Sequence, residues 1–394
     1  MNGFDKKTSN LSICFVAHNA YGEISGSRSS GHIGGIERQM TLMARWFAAH
    51  GYRVSMLTWD EGQADGIEID GVRVFKMCAR DAGIKGLRFF YPKWTSLIRA
   101  MRRADADVYY QNCGEYVTGQ VALWCRRNGR KFIYSVANDP DCDPRLPEMH
   151  TIRERILYRY GLTHADTVIV QTQRQQAMLQ EGFGIESIVV PMPCPAPTNQ
   201  GRLITRLHEN DSGGILWIGR IAKQKRPDRL LEIARALPEL RFDLVGPLRE
   251  GSYSRQIIEE ARQIKNVVVH GAVSRNRVDE FYRQSSILCC TSDYEGFPNT
   301  FLEAWSHGLP IVSTFDPDNV IVKHGLGVVA EDVAGLINGI RMLVSSPEMW
   351  NSASKNARRY YLENHTLEAV MPKFERILQS VVENPGIPTI NDIV

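Results

Sequence analysis

No stretch of this sequence approaches the ~20 consecutive apolar residues that a membrane-spanning helix needs. The first ten residues are polar, and the apolar run at 11–17 stops at His18-Asn19, too soon for a secretory leader. A cytoplasmic protein is expected. Cysteine is sparse: eight residues, none of them in a Cys-x-x-Cys pair. Scattered thiols, two of them in the buried-looking run at 286–290, argue against a disulfide framework and fit a reducing compartment. Cys/His metal spacing is absent, and no Asp-x-Asp has an obvious cation role, so no metal site is expected. A strict G-x-G-x-x-G is missing as well. The nearest loop reads Gly31-His32-Ile33-Gly34-Gly35, which counts against a nicotinamide dehydrogenase. Nor does one sign of charge dominate. The net charge of +3 does not mark a nucleic-acid binder, and no nucleic acid is expected as a partner.

What is present is a globular composition, 43% hydrophobic and 23% charged, in 394 residues. That length suits two domains of ordinary size. Short apolar runs of strand type fall at 12–16, 53–58, 107–110, 131–135, 167–170 and 187–190, with helical patterns between most of them. A helix is expected from about Gly35 to Ala49, with Met40, Met43, Ala44 and Phe47 on one face. Two short strands, 67–69 and 72–75, flank Asp70-Gly71 and suggest a hairpin. Repeated β-α-β order implies an α/β protein with parallel sheets covered on both faces. Pro191, Pro193, Pro195 and Pro197 then crowd together before a polar stretch. A linker at 196–210 is expected, the alternative being a proline-rich surface loop. After it the pattern restarts, with strands at 214–218, 242–245, 267–269 and 286–290, and helices at 227–237, 253–262 and 277–283. The domains are therefore placed at 1–195 and 211–348, with helices at 349–394.

The stretch 292–314, SDYEGFPNTFLEAWSHGLPIVST, follows one of these strands. Gly296 and Pro298 punctuate a turn. Asn299 or Thr300 is placed to cap a helix that Gly308 and Pro310 end. Two carboxylates, Glu295 in the turn and Glu303 in the helix, sit at the carboxyl end of a strand, where open α/β sheets bind ligands. A second strand end carries Ile218-Gly219-Arg220-Ile221, followed by Lys223, Lys225 and Arg226, with Pro227 suited to a first helical turn. Fixed cations of this kind suit an anionic ligand and stabilise negative charge that develops on it. Gly34-Gly35-Ile36-Glu37 opens the first long helix, where glycines let a ligand approach and the helix start favours an anion.

The Glu-x7-Glu pair, with Gly296-Phe297-Pro298, Leu302-Glu303-Ala304 and Gly308-Leu309-Pro310, resembles the donor-site signature of retaining group 1 glycosyltransferases, glycosyltransferase family 4. The resemblance implies a GT-B fold, two Rossmann-like domains facing a central cleft, with the last helix crossing back to the first domain. It implies a nucleotide-diphosphate sugar as donor and neither cofactor nor metal. Arg220 and Lys225 would grip the diphosphate, Glu303 the ribose and Glu295 the sugar. Backbone groups at Gly296, Phe297, Pro298 and Asn299 would add hydrogen bonds. Gly34 and Gly35 would lie near the donor phosphate and the acceptor, and Gly246 and Val273 near the nucleotide. On the acceptor side stand Asn138, Asp139 and His32. Many relatives place His-Asp where this chain has Asn138-Asp139, and residues 315–320, FDPDNV, replace a glycine-rich stretch. The first departure takes away the histidine that such relatives place near the reacting sugar, and the second bears on recognition of the donor sugar.

These features point to a hexosyltransferase working on a glycan or lipid-linked acceptor, in surface polysaccharide or lipopolysaccharide assembly. Residues 85–103 mix six basic residues with Phe89, Phe90, Tyr91 and Trp94. That mixture suits contact with an anionic membrane at its inner face. Its alternative is an amphipathic helix packing Trp94, Leu97 and Ile98 inward. Two other functions share the architecture. A nucleotide-sugar epimerase would convert the donor alone, and a binding protein would keep the fold without catalysis. For the Glu-x7-Glu helix the plain alternative is two solvated glutamates.

Overall fold

The structure is a computed structural model that describes residues 11–26, 34–197, 213–248 and 251–383. The expected linker lies almost wholly outside this range, and so does His32. The chain divides into two compact units, Met1–Val190 with Met371–Val394, and Pro191–Val370.

In the first unit the strands are β1 (Ser12–Val16), β2 (Arg53–Thr58), β3 (Ile67–Ile69), β4 (Val72–Lys76), β5 (Val108–Asn112), β6 (Lys131–Ser135), β7 (Thr167–Val170) and β8 (Ile188–Val189). They form one sheet in the order β3-β4-β2-β1-β5-β6-β7-β8. Neighbours run parallel except β3 against β4. Asp70 and Gly71 join that pair, both at positive φ, as a two-residue hairpin loop demands. Strands β1 and β5 are buried along their whole length, so both faces of the sheet are covered. The helices are α1 (Tyr21–Ser25), α2 (Gly35–Ala49), α3 (Thr95–Ala104), α4 (Tyr116–Asn128), α5 (Ile152–Thr163) and α6 (Gln173–Phe183). Helix α2 buries Met40, Met43, Ala44 and Phe47, the face its spacing predicts. Helices α4 and α5 approach through Gly119 and Gly161, where a Cβ would strike the backbone of the other helix. Strand β5 runs two residues past the expected end at Tyr110, and β8 is shorter than the expected 187–190.

The second unit holds β9 (Gly214–Ile218), β10 (Phe242–Val245), β11 (Val267–Gly271), β12 (Ser285–Cys290), β13 (Ile311–Ser313) and β14 (Gly327–Val329). All pair in parallel, in the order β11-β10-β9-β12-β13-β14. Its helices are α7 (Pro227–Ala236), α8 (Ser252–Arg262), α9 (Arg275–Gln284), α10 (Asn299–Ser306), α11 (Val320–His324), α12 (Val333–Ser345) and α13 (Pro347–Asn364). Two fully buried tryptophans, Trp305 and Trp350, anchor its core, and Trp350 Nε1 donates to Ser286 O at 2.7 Å. The proline run at its start is tied in. Cys194 N donates to His365 O at 2.8 Å, and Tyr361 OH to Cys194 O at 3.0 Å. Helix α14 (Leu367–Glu383) follows. Its later part packs within the first unit, where Tyr52 OH donates to Glu375 Oε1 at 2.6 Å and Phe374 meets the Tyr110 ring edge-on.

In each sheet the strand order reverses once beside the first strand of the unit, between β1 and β5 and between β9 and β12. Loops leaving the carboxyl edge on the two sides of such a reversal diverge and leave room for a ligand.

Candidate functional site

In the second unit the loop after β9 carries Arg220 and Lys225, and the loop after β12 carries Glu295. Backbone and side-chain hydrogen bonds stitch the two loops together. Asp293 N donates to Gln224 O at 2.9 Å, and Gln224 Nε2 to Tyr294 O at 2.8 Å. Trp217 Nε1 donates to Thr291 Oγ1 at 2.9 Å, and that hydroxyl donates onward to Lys225 O at 2.8 Å. Arg226, at φ 47°, turns the chain into Pro227 at the first position of α7. Its guanidinium is spent on Asp228 and Asp293, and Arg229 also reaches Asp293.

Lys225 Nζ bonds Glu295 Oε1, and Ser292 Oγ donates to the same oxygen at 2.6 Å. Arg220 is exposed, and among the described residues no ion pair or hydrogen bond engages it. Glu295 is 8% exposed and Glu303 7%. These are buried carboxylates, which sets aside the alternative of two solvated helix glutamates. A buried carboxylate is retained only with partners that offset its desolvation. The turn between them contains Gly296 and Phe297. The Phe297 ring packs on Trp305 and His365, fixing the entry into α10. Pro298, rather than Asn299 or Thr300, occupies the N-cap position, with no side-chain cap.

Gly246 follows β10 at φ +147°, and a Cβ there would collide with Gly219 O. Its amide donates to Gly271 O at 2.8 Å. Gly246 thus lets three strand ends close up beneath the Arg220 loop. Val273 lies two residues past β11, half-buried.

The first unit carries a separate cluster at its own sheet reversal. Gly34 is the N-cap of α2, and the Glu37 side chain folds back against it, while Gly35 is exposed. His18, beyond β1, packs tilted against Trp59 with ring centroids 4.7 Å apart and lies 3.9 Å from Glu115. Lys93 Nζ sits over the same Trp59 ring. Burial, with Lys93 adding to it, pushes His18 down to about 4, so its ring is neutral at neutral pH. Asn138 caps the short helical turn Asp139–Cys142, its Oδ1 accepting from Asp141 N at 3.3 Å. Asp139 accepts from Gln175 Nε2 at 3.1 Å and pairs with Arg174. The fully enclosed Asp141 accepts from the amides of Gly114 and Ala137. Burial pushes Asp141 up to about 7. Sequence reasoning passed over Glu115 and Asp141, and placed Lys93 only within the basic stretch at 85–103. The Asp-Pro-Asp spacing after β6 was the one local signal for Asp141. Among the described residues no group of His, Cys, Asp or Glu could hold a metal ion.

Two family models match this chain, glycosyl transferases group 1 at residues 206–360 and a glycosyl transferase 4-like domain at residues 34–195. The chain belongs to the group 1 glycosyltransferases. An uncharacterized glycosyltransferase of Haemophilus influenzae is 25% identical over 57% of this chain and 64% of its own length. The GtfA subunit of a UDP-N-acetylglucosamine–peptide N-acetylglucosaminyltransferase of Streptococcus pneumoniae is 31% identical over 39% of this chain and 32% of its own. The chain thus spans less than two thirds of the length of these curated relatives. Solved structures share the fold along nearly the whole chain. Sucrose-phosphate synthase from Thermosynechococcus elongatus has a TM-score of 0.78 at 17% identity, covering 95% of this chain and 99% of that one. HepE from Anabaena, in complex with UDP and glucose, has a TM-score of 0.74 at 17% identity, covering 94% and 100%. The expected GT-B fold holds: this glycosyltransferase has two α/β units, each built on a mostly parallel sheet.

Proposed function

We propose that this glycosyltransferase is a retaining family 4 enzyme. It moves a hexose-type sugar from a nucleotide-diphosphate donor to a glycan or lipid-linked acceptor, in surface polysaccharide or lipopolysaccharide assembly. The observation that carries the reading is the pairing, at the sheet reversal of the second unit, of an exposed Arg220 with a Lys225–Glu295 ion pair. A diphosphate leaving group gains charge as the sugar departs, and preorganised cations lower the energy of that state. Arg220 supplies a planar fork and Lys225 a point charge. Glu303 accepts from the two ribose hydroxyls, and Glu295 from hydroxyls of the transferred sugar. Backbone groups of Gly296, Phe297 and Asn299 line the sugar. The acceptor attacks on the face the leaving group departs from, so no protein nucleophile is required. In the first unit, Asn138 and Asp139 shape the acceptor side through the turn that Asn138 caps and Asp139 opens, rather than as a proton relay.

Several relatives support the donor class. HepE was solved with UDP-glucose, and the pneumococcal GtfA with UDP and GlcNAc. A glycosyltransferase of amylovoran biosynthesis from Erwinia amylovora, 25% identical over 41% of this chain, supports a polysaccharide setting. The test is a thermal-shift screen of nucleotide sugars followed by product analysis, since a ligand bound to the native state raises its melting temperature. A stabilising nucleotide sugar and a product of unchanged anomeric configuration are expected. An inverted product, or an epimerised donor formed without acceptor, would overturn the reading.

A further inference from the structure

The basic, aromatic stretch at 85–103 does not behave as one surface. Its second half turns inward. Helix α3 buries Leu97, Ala100 and Met101. Arg103 is drawn to Asp65 and to Lys76 O, and Lys93 leans on Trp59. Its first half turns outward with Leu87, Phe90 and Tyr91, as does Ile84 just before it, and a second segment, the first turns of α5, does the same with Ile152 and Ile156. These six large apolar side chains are between 56% and 77% exposed. The two segments share a border. The Arg153 guanidinium lies 3.9 Å from the centroid of the Phe89 ring, which meets Phe90 edge-on at 4.9 Å. An exposed apolar cluster of this extent marks an interaction surface.

The charges around it choose the partner. Lys85 and Arg88 alternate in sequence with the apolar residues of the first segment, and Arg153, Arg155 and Arg159 stand beside Ile152 and Ile156 along α5, Arg155 also donating to Met149 O and Arg159 to Pro144 O. The nearby carboxylates include Asp81, Glu115, Glu148 and Glu154, of which Glu115 and Glu154 are engaged in the capping boxes of α4 and α5. The cation excess disfavours a second copy of this chain, because a two-fold contact would set one basic rim against another. An apolar centre with a basic rim is the composition that seats in the headgroup layer of anionic lipid.

We propose that residues 84–91 and the exposed face of α5 around Ile152 and Ile156 together dock this glycosyltransferase on an anionic phospholipid bilayer. Ile84, Leu87, Phe90, Tyr91, Ile152 and Ile156 enter the headgroup layer, and the arginines and Lys85 meet lipid phosphates. This deepens the lipid-facing side of the proposed function and does not depend on its chemistry. A protein that binds vesicles and glycosylates a water-soluble acceptor keeps this surface and loses only the lipid-linked acceptor.

Co-sedimentation of the full chain with vesicles of phosphatidylcholine, alone or mixed with phosphatidylglycerol, tests it. Binding to the anionic vesicles is expected to be at least tenfold tighter than to the neutral ones and to weaken with salt. The pairs L87D/F90D and I152D/I156D should each cut that binding at least tenfold with unchanged melting temperatures. No binding by the parent chain, equal binding to neutral vesicles, or full binding by either pair would overturn the proposal. Sedimentation showing a parent dimer that the same pairs dissociate would assign the face to a second copy instead.

Discussion

Lys225 and Glu295 form an ion pair that joins the loop after β9 to the loop after β12, and Ser292 shares the glutamate oxygen. Arg220, five residues before Lys225, makes no such bond among the described residues. The two proposed diphosphate ligands therefore differ in what they do before a donor arrives. Lys225 neutralises a buried carboxylate, and Arg220, in this proposal, answers to the ligand alone. Alanine at either position should cost the transfer rate about 2.7–4 kcal/mol, the effect of losing one preorganised donor. Only Lys225→Ala should also destabilise the fold, by about 1–3 kcal/mol or somewhat more, because it strands Glu295. Kinetics and thermal unfolding of both variants check this. Equal melting temperatures would mean that the ion pair contributes nothing to the native state.

The two glutamates should fail differently. Glu303→Gln weakens nucleotide binding, and free nucleoside diphosphate loses affinity with it. Glu295→Gln leaves nucleoside diphosphate affinity nearly unchanged and slows transfer, since the contact proposed for it is to the moving group. Titration calorimetry with the nucleoside diphosphate and initial rates for each variant separate the roles. A parallel loss of nucleotide affinity in both would refute the division.

Local features of the chain were legible where one residue or one period decides them. The buried face of α2 follows from helical spacing, and the β3–β4 hairpin from Asp70-Gly71. The alternation of strands and helices sufficed for two α/β units. Contacts between distant segments were not legible. Nothing local to Lys225 shows that Glu295 will meet it, because that meeting depends on β9 and β12 being neighbours in the sheet. Strand β14 has three residues, too few for a periodic signal. Asn138 reads equally well as a ligand or a cap until the turn after it is seen. The exposed isoleucines of α5 look like core residues in a one-dimensional pattern, since only the packing of α4 on the opposite side decides which face is buried.

Gly246 and Gly271 offer a matched pair of substitutions at neighbouring strand ends. Gly246→Ala drives a Cβ into Gly219 O at a φ that side chains rarely adopt, so the Arg220 loop must shift. Overpacking and backbone strain together should cost about 2–4 kcal/mol, and donor affinity should fall. At Gly271, φ is +65° and a Cβ meets nothing within 4 Å. Alanine there should cost only about 1–2 kcal/mol of backbone strain and leave donor affinity intact. Chemical denaturation and a donor titration on both variants give the comparison. Intact donor affinity in Gly246→Ala would show that the close approach of the strand ends does not position the loop.

Asp141 makes the stability of this protein depend on pH in a direction opposite to the usual carboxylate. Burial raises it to about 7, against the bonds from Gly114 and Ala137 that pull it down, and Glu148 and Glu115 push it further up. In the unfolded chain it titrates near ~3.9. Between those values the folded state holds a proton that the unfolded state has released, so the contribution of Asp141 to stability falls as pH rises from about 4 to about 7. His18 works at the same end of the scale with the other sign. It is held down to about 4 in the fold and titrates near ~6.5 unfolded, so its contribution is lost as pH falls through that window. The two can be separated by substitution. Asp141→Asn removes the first term and keeps one acceptor oxygen for the Gly114 amide. The melting temperature of the parent, relative to this variant, should drop between pH 5 and pH 8. His18→Gln should show the reverse, with the parent gaining on the variant from pH 4.5 to pH 6.5. Thermal unfolding of the three proteins across this range measures both differences, and parallel curves for the parent and Asp141→Asn would show that the carboxyl group is not held protonated in the fold.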